Sequence, residues 1–276
     1  MDYIMRSPPR HLLRKALRIL TASLVGGYLV TCLILYFYQE RLLFHPTVVP
    51  RDFVYSFAAP FTEVALPVDG ATLDLLHFQR PAPKGVVLYL HGNADTIQTD
   101  AAVPERFLCR GYDVVLLDYR GYGKSSGAIT NEPALHQDVL AVYRYLRQTY
   151  RDDQIVLYGY SLGTGLAVQL AAVTSPRMLI LEAPYVSMAD LVAQKAPYVP
   201  LFLLKYPLRS DQWIGQVRCP ISLFHGTQDS LIPYSSSERL RASITAPSEL
   251  IPLVGGDHGG LATFTAYQEH LDQILR

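Results

Sequence analysis

The chain has 276 residues, and its 24 Lys+Arg offset 24 Asp+Glu, so the formal net charge is zero. That balance argues against a general nucleic-acid binder, which needs a cationic face to displace counterions. Half of the residues are hydrophobic and 17% are charged, which excludes disorder as the dominant state, because disordered chains lack apolar surface to bury.

In chain order, residues 1–18 read as a short basic tail carrying Arg6, Arg10, Arg14, Lys15 and Arg18. The 20 residues Ile19–Tyr38 follow without a charge. A helix of that length extends about 30 Å and matches the hydrocarbon core of a bilayer. Tyr36, Phe37 and Tyr38 stand where an interfacial aromatic belt belongs. Because cations precede the span and only Arg41 closely follows it, the positive-inside rule predicts a single-pass protein. Its tail lies in the cytoplasm and the rest on the far side, whether periplasmic, lumenal or extracellular. A cleaved signal peptide would have a shorter apolar core ending at a small-residue site, and here the run continues past every such site. Thr31 is also larger than the residue expected before the cysteine of a lipoprotein box at Cys32. Residues 39–57, with Pro46 and Pro50, read as a juxtamembrane connector.

From 58 to 276 short apolar runs alternate with helical stretches. Strands are predicted at Gly85–Leu90, Tyr112–Asp118, Gln154–Tyr158, Met178–Leu181, Ile221–Phe224 and Glu249–Leu253. Helices are predicted at Ala101–Cys109, Glu132–Thr149, Leu162–Val173, Ser235–Ala242 and Leu261–Leu275. Continuously apolar strands between helices imply an α/β fold, a mainly parallel sheet covered on both faces. In such sheets chemistry is placed just past the carboxyl ends of strands. Cys32, Cys109 and Cys219 are too few for a disulfide framework and form no C-x-x-C pair. Cys109 and Cys219 are expected as buried free thiols, with a single Cys109–Cys219 bridge as the alternative.

The most informative motif is Gly159-Tyr160-Ser161-Leu162-Gly163, set between a predicted strand and a predicted helix. G-x-S-x-G in this context lifts a serine hydroxyl out of a cramped turn at a helix N-terminus, where unpaired amides favour negative charge. A serine is a poor nucleophile until a base takes its proton. His258 is the candidate base, in a glycine-rich loop between the last strand and the last helix. Asp229, past the strand ending at Phe224, is the candidate acid. Glu182 is its rival, and Asp118 is expected to support the Tyr119–Ser126 loop. His91 and His225 precede glycines at strand ends and are expected to be structural. The two oxyanion-hole amides are assigned to Leu162 and to Asn93 in Leu90-His91-Gly92-Asn93-Ala94. Gly123-Lys124-Ser125 mimics the end of a phosphate-binding loop but has Asp118 where that motif needs glycine.

Ser161, Asp229 and His258, with His-Gly-Asn-Ala at 91–94, Asp-Tyr-Arg-Gly-Tyr-Gly-Lys-Ser at 118–125 and the D-x-x-I-P that begins at Asp229, resemble the α/β-hydrolase superfamily from about Phe61 to the end of the chain. With the N-terminal anchor and the segment Tyr38–Pro46, the pattern is similar to a membrane-anchored, serine-aminopeptidase-like subgroup of single-pass hydrolases and protein depalmitoylases. The resemblance implies a serine hydrolase that works through an acyl-enzyme with no metal or organic cofactor. Depalmitoylases carry a cysteine-rich tail instead of a spanning helix, so thioesterase activity does not transfer with it. An apolar insertion at 183–218 reads as a small cap and suggests a small-molecule or lipid-like acyl substrate. Ester or thioester cleavage is the leading expectation. An aminopeptidase-like activity and a non-catalytic binding role on the same fold are the alternatives.

Overall fold

A computed structural model describes residues 10–94, 96–99 and 101–276. Arg6 and the rest of residues 1–9 of the expected basic tail lie outside them. Helix α1 spans Arg10–Phe37, 28 residues, none of them buried against the protein. It begins nine residues before the expected apolar span at Ile19, because the Leu, Arg, Lys and Ala of the tail are strong helix formers and prolong it. An 18-residue window of α1 has a mean hydropathy of 2.0, enough by length and composition to cross a membrane.

The short helix α2 (Gln39–Leu43) turns the chain onto the main body. The connector that follows is docked. Phe44 is buried edge-on against Tyr206, with ring centroids 5.0 Å apart. Val48 forms a parallel bridge with Gly123. Tyr55 is buried and donates to Asp74 at 2.6 Å.

Eight strands make one sheet in the order β1-β2-β4-β3-β5-β6-β7-β8. They are β1 (Phe61–Val68), β2 (Ala71–Phe78), β3 (Gly85–Leu90), β4 (Tyr112–Asp118), β5 (Ile155–Tyr160), β6 (Met178–Glu182), β7 (Ile221–Gly226) and β8 (Ser248–Leu253). The pairs β1–β2 and β2–β4 are antiparallel, and every other pair is parallel. Six strands coincide with the expected ones to within two residues at either end. The hairpin β1–β2 falls outside the sequence expectation. β1 packs only part of its length, so it lacks the solid apolar run that marks β3 and β4. The signal that finds it is the Asp69-Gly70 turn, where Gly70 takes φ +70° as a tight hairpin needs.

Strand alternation divides the core. Val86, Leu88 and Leu90 face one layer, and Val87 and Tyr89 the other. The first layer holds α4 (Glu132–Leu146), α5 (Leu162–Val173) and α8 (Ser235–Ala242). The second holds α3 (Val103–Leu108) and α9 (Thr265–Ile274). The expected helix 261–275 is divided, with a single 3-10 turn at Leu261–Thr263 before α9. The insertion after β6 carries α6 (Met188–Lys195) and α7 (Ser210–Trp213). Its apolar residues split in two: Tyr185, Tyr206 and Leu208 are core, whereas Tyr198, Leu201 and Phe202 face outward. All three cysteines are free. Only Cys219 is buried; Cys109, expected inside, is exposed as the residue that caps the C-terminal end of α3.

Candidate active site

Three loops at the carboxyl edge of the sheet converge. Ser161 sits between β5 and α5 with φ +49° and ψ −115°, a left-handed conformation that a non-glycine residue adopts at a cost of about 1–3 kcal/mol. The neighbouring glycines are there for space. A Cβ on Gly159 would lie 2.7 Å from the Gly163 carbonyl oxygen, and one on Gly163 would lie 2.1 Å from the Leu90 carbonyl oxygen. The turn is tied down where the Ser161 amide donates to the Glu182 carbonyl at 2.9 Å and the Thr164 hydroxyl to the Ser161 carbonyl at 2.6 Å.

His258, in the loop after β8, places Nε2 2.9 Å from Ser161 Oγ and Nδ1 2.8 Å from Asp229 Oδ2. With the Nδ1 proton donated to the carboxylate, the Nε2 lone pair is left to accept the serine proton. The Asp229 side chain is fully buried. Its other oxygen, Oδ1, accepts from the amides of Leu231 at 2.9 Å and Ile232 at 2.7 Å. Burial alone would raise this carboxyl. Hydrogen bonds from His225, His258 and the Ile232 amide outweigh it and hold the group well below the usual carboxylate range.

Two features of this corner escape the sequence. His225, expected to be a structural turn residue, lies at the end of β7 with Nε2 3.2 Å from Asp229 Oδ2. Its ring also bonds the Ile232 carbonyl at 2.9 Å and Ser237 Oγ at 2.6 Å. Its signal was its position four residues before Asp229. Asp257, adjacent to the histidine, clamps the two loops together. Its Oδ1 accepts from the amides of His258 at 2.8 Å and Ser230 at 2.9 Å. Gly226 permits the close passage, since a Cβ there would lie 2.3 Å from the Gly256 carbonyl oxygen.

The rival acid, Glu182, is engaged elsewhere. Its Oε2 accepts from Tyr158 and from Tyr267, the latter at 3.3 Å, and lies 3.8 Å from Arg106. Burial raises the Tyr158 phenol far above its ordinary value, so it stays a neutral donor.

Leu162 is the first residue of α5, so its amide has no acceptor one turn back within the helix. Asn93 lies three residues past β3, and its carbonyl accepts from Tyr122 at 2.8 Å. The Tyr119 hydroxyl holds the His91 carbonyl at 2.9 Å. The aromatic residues of the Asp118–Ser125 segment thus brace the loop that carries Asn93. Asp118 supports both loops: its Oδ1 accepts from the Ile97 amide at 2.9 Å, and its backbone carbonyl accepts from Ser125 Oγ at 2.7 Å. Beside the serine and the histidine loop lies a cavity of about 200 Å³ lined by Tyr89, Arg106, Tyr160, Glu182 and Leu261. A half-buried imidazole between an alcohol and an ionised carboxylate can activate that alcohol, and amides at a helix start can face an oxyanion.

Comparison with known proteins follows the same lines. A family model described as serine aminopeptidase, S33, matches residues 81–212. An uncharacterized protein of Mycobacterium tuberculosis is 31% identical over 228 residues, 80% of each chain. The lysophosphatidylserine lipase ABHD12 of Danio rerio is 31% identical over 184 residues, 59% of this chain and 47% of the lipase. The chain therefore spans about half the length of that lipase. Among solved structures, the Pyrococcus furiosus esterase Pf2001 superposes with a TM-score of 0.67 at 19% identity, covering 84% of this chain and 98% of the esterase. Est1E from Butyrivibrio proteoclasticus, with ferulic acid bound, gives 0.64 at 19% identity over 77% and 97%. At such identities the likeness to the solved structures is one of fold.

Proposed function

From the premise that this chain belongs to the α/β-hydrolase superfamily and is a serine hydrolase acting on ester bonds, we propose that Ser161 is its nucleophile, His258 its general base and acid, and Asp229 the carboxylate that orients the imidazole. The observation that carries this reading is the unbroken chain of contacts Ser161–His258–Asp229 at 2.9 and 2.8 Å.

His258 Nε2 takes the hydroxyl proton as Ser161 Oγ bonds to the acyl carbon. The carbonyl oxygen becomes an oxyanion facing the Leu162 and Asn93 amides, each contributing about 3 kcal/mol to the tetrahedral intermediate. The imidazolium then protonates the departing alcohol as the bond to the acyl carbon breaks, leaving an acyl-enzyme. Water, deprotonated by the same ring, releases the acid and restores the serine. Asp229 stays ionised throughout and offsets the imidazolium charge. No step calls for a metal or an organic cofactor.

The substrate is a lipid-like carboxylic ester, with thioesters the nearest variant. The lipase relative supports this class, as does the apolar insertion after β6. The insertion is poorly suited to a free amino terminus. Asp190 and Asp211 are occupied by Arg239 and Arg209, at 2.9 and 2.7 Å, which disfavours an aminopeptidase. Helix α1 anchors the protein in a membrane, with the tail cytoplasmic and the hydrolase domain, residues 58–276, on the far side.

A fluorophosphonate probe should label the wild-type protein and not Ser161→Ala. Absence of labelling on folded wild type would remove the catalytic reading and favour a binding protein on this fold. Turnover of p-nitrophenyl esters of increasing chain length, set against thioesters and aminoacyl amides, sorts the substrate classes. A compartment-specific reporter fused after Arg276 should be active only outside the cytoplasm, and cytoplasmic activity would reverse the orientation.

A further inference from the structure

Nine consecutive residues of the insertion, Ala196-Pro197-Tyr198-Val199-Pro200-Leu201-Phe202-Leu203-Leu204, carry no charge and lie between Lys195 and Lys205. Tyr198, Leu201 and Phe202 are 69%, 46% and 86% exposed. An isolated exposed leucine needs no explanation, but this cluster continues the surface of α1. The Tyr28 hydroxyl donates to the Tyr198 carbonyl at 3.0 Å. Gln39 Nε2 donates to the Leu203 carbonyl at 2.9 Å, and the Lys205 amide donates to Gln39 Oε1 at 2.7 Å.

Depth follows from helix geometry. Lys205 Nζ lies 3.0 Å from Glu40 and 4.6 Å from the centre of the Tyr36 ring, so the segment returns to the level of Tyr36–Glu40, where the anchor leaves the hydrocarbon. Tyr28 is eight residues nearer the middle of the anchor, a distance of about 12 Å at 1.5 Å per residue. Half of the hydrocarbon core is about 15 Å. If α1 spans the bilayer, Tyr198 therefore stands well inside one leaflet.

The backbone suits that place. Irregular chain among lipids costs free energy for each polar group left unsatisfied, so proline and turn hydrogen bonds lower that cost. Pro197 and Pro200 have no N–H to satisfy, and four of the other seven amides, those of Ala196, Val199, Leu203 and Leu204, bond to the carbonyls of Val192, Ala196, Pro200 and Leu201 at 2.8–3.1 Å, which leaves those of Tyr198, Leu201 and Phe202 as the cost that the exposed apolar side chains must offset. At its other end Lys195 Nζ reaches the carbonyl of Ser230, next to Asp229, at 3.4 Å. The segment thus joins the anchor to the loop that holds the acid.

We propose that residues 196–204 are embedded in the lipid leaflet on the side of the hydrolase domain, alongside α1, as a second membrane contact that holds the catalytic edge against the bilayer. The proposal rests on the reading of α1 as a membrane anchor.

The test uses full-length protein reconstituted in phosphatidylcholine vesicles. Trp213 is the single tryptophan, so Phe202→Trp and Leu201→Trp, each with Trp213→Phe, report the segment alone. Val173→Trp, exposed on another face, is the control. If Trp213→Phe lowers the yield of folded protein, the same variants are read as difference spectra against the parent with Trp213 retained. The expected result is blue-shifted emission, loss of at least half the intensity in vesicles of brominated phosphatidylcholine, and protection from aqueous acrylamide, with the control showing the reverse. Quenching by acrylamide and not by brominated lipid would overturn the proposal. Protection from both, with a concentration-dependent dimer, would overturn it in favour of a second copy of the chain. Failure of the protein to float with vesicles would defeat the anchor reading and this proposal together. None of these outcomes depends on catalysis.

Discussion

Gly163→Ala tests whether the oxyanion hole depends on the close approach of α5 to β3. The new Cβ would lie 2.1 Å from the Leu90 carbonyl oxygen and 2.9 Å from that of His91. Both are backbone atoms, so no side chain can swing away. Ordinary contact begins near 3.4 Å, which requires a retreat of 1.3 Å, the difference of 3.4 and 2.1. The displaced helix start carries Leu162, and the strand it retreats from leads to Asn93, so the two amides part by a similar distance. Misplacement of about 1 Å costs on the order of a hundredfold in rate, or about 2.7 kcal/mol in the barrier. Overpacking should also lower stability by about 1–3 kcal/mol. The assay is kcat/KM on a short p-nitrophenyl ester, with urea denaturation alongside. Gly259→Ala is the control, since its Cβ would meet nothing nearer than the Tyr160 hydroxyl at 3.9 Å. A Gly163→Ala enzyme within threefold of wild type and equally stable would refute the argument.

Asp229→Asn should lower kcat by about 10³–10⁴-fold through loss of the correct tautomer. Glu182→Gln should leave kcat within a few-fold and lower the denaturation midpoint, because it leaves Arg106 half-paired; the opposite pattern would transfer the acid role to Glu182. His225→Ala should destabilise the fold by about 1–3 kcal/mol, since Ser237 Oγ and the Ile232 carbonyl lose their partner, and an unchanged urea midpoint would contradict that. Burial raises Asp118 to about 7 and Asp74 to about 6; the Asp74 carboxylate adds to the rise at Asp118, and that of Glu63 to the rise at Asp74. The folded state therefore holds protons that the unfolded chain has released above about pH 4. The pair's contribution to stability is present at low pH and is lost as pH rises to about 7, by an amount on the order of a few kcal/mol. Urea midpoints at pH 5 and pH 8 should differ less in Asp118→Asn than in wild type, and equal slopes would count against the assignment.

The parallel strands were legible because each is an unbroken apolar run buried on both faces, as in Gly85–Leu90 and Tyr112–Asp118. The hairpin Phe61–Phe78 was not, because β1 is half exposed and its pattern is diluted by polar residues. Ser161 could be singled out from five adjacent residues, since the constraints on a strand–turn–helix corner are local and need glycine at fixed places.

What the amino-acid sequence determined by itself was therefore local: a charge-free span, alternating strands and helices, and a serine in a cramped turn. Tertiary structure alone decided the pairings. Ser161 and His258 are 97 residues apart, and His258 and Asp229 are 29 apart. No short-range pattern records that Asp257 and Gly226 let their loops close, or that Glu182 is turned toward Arg106. Tyr28 and Tyr198, 170 residues apart, meet for the same reason. Such contacts are set by the order and twist of the whole sheet and by the packing of the layers on it, and these exist only once the chain has folded.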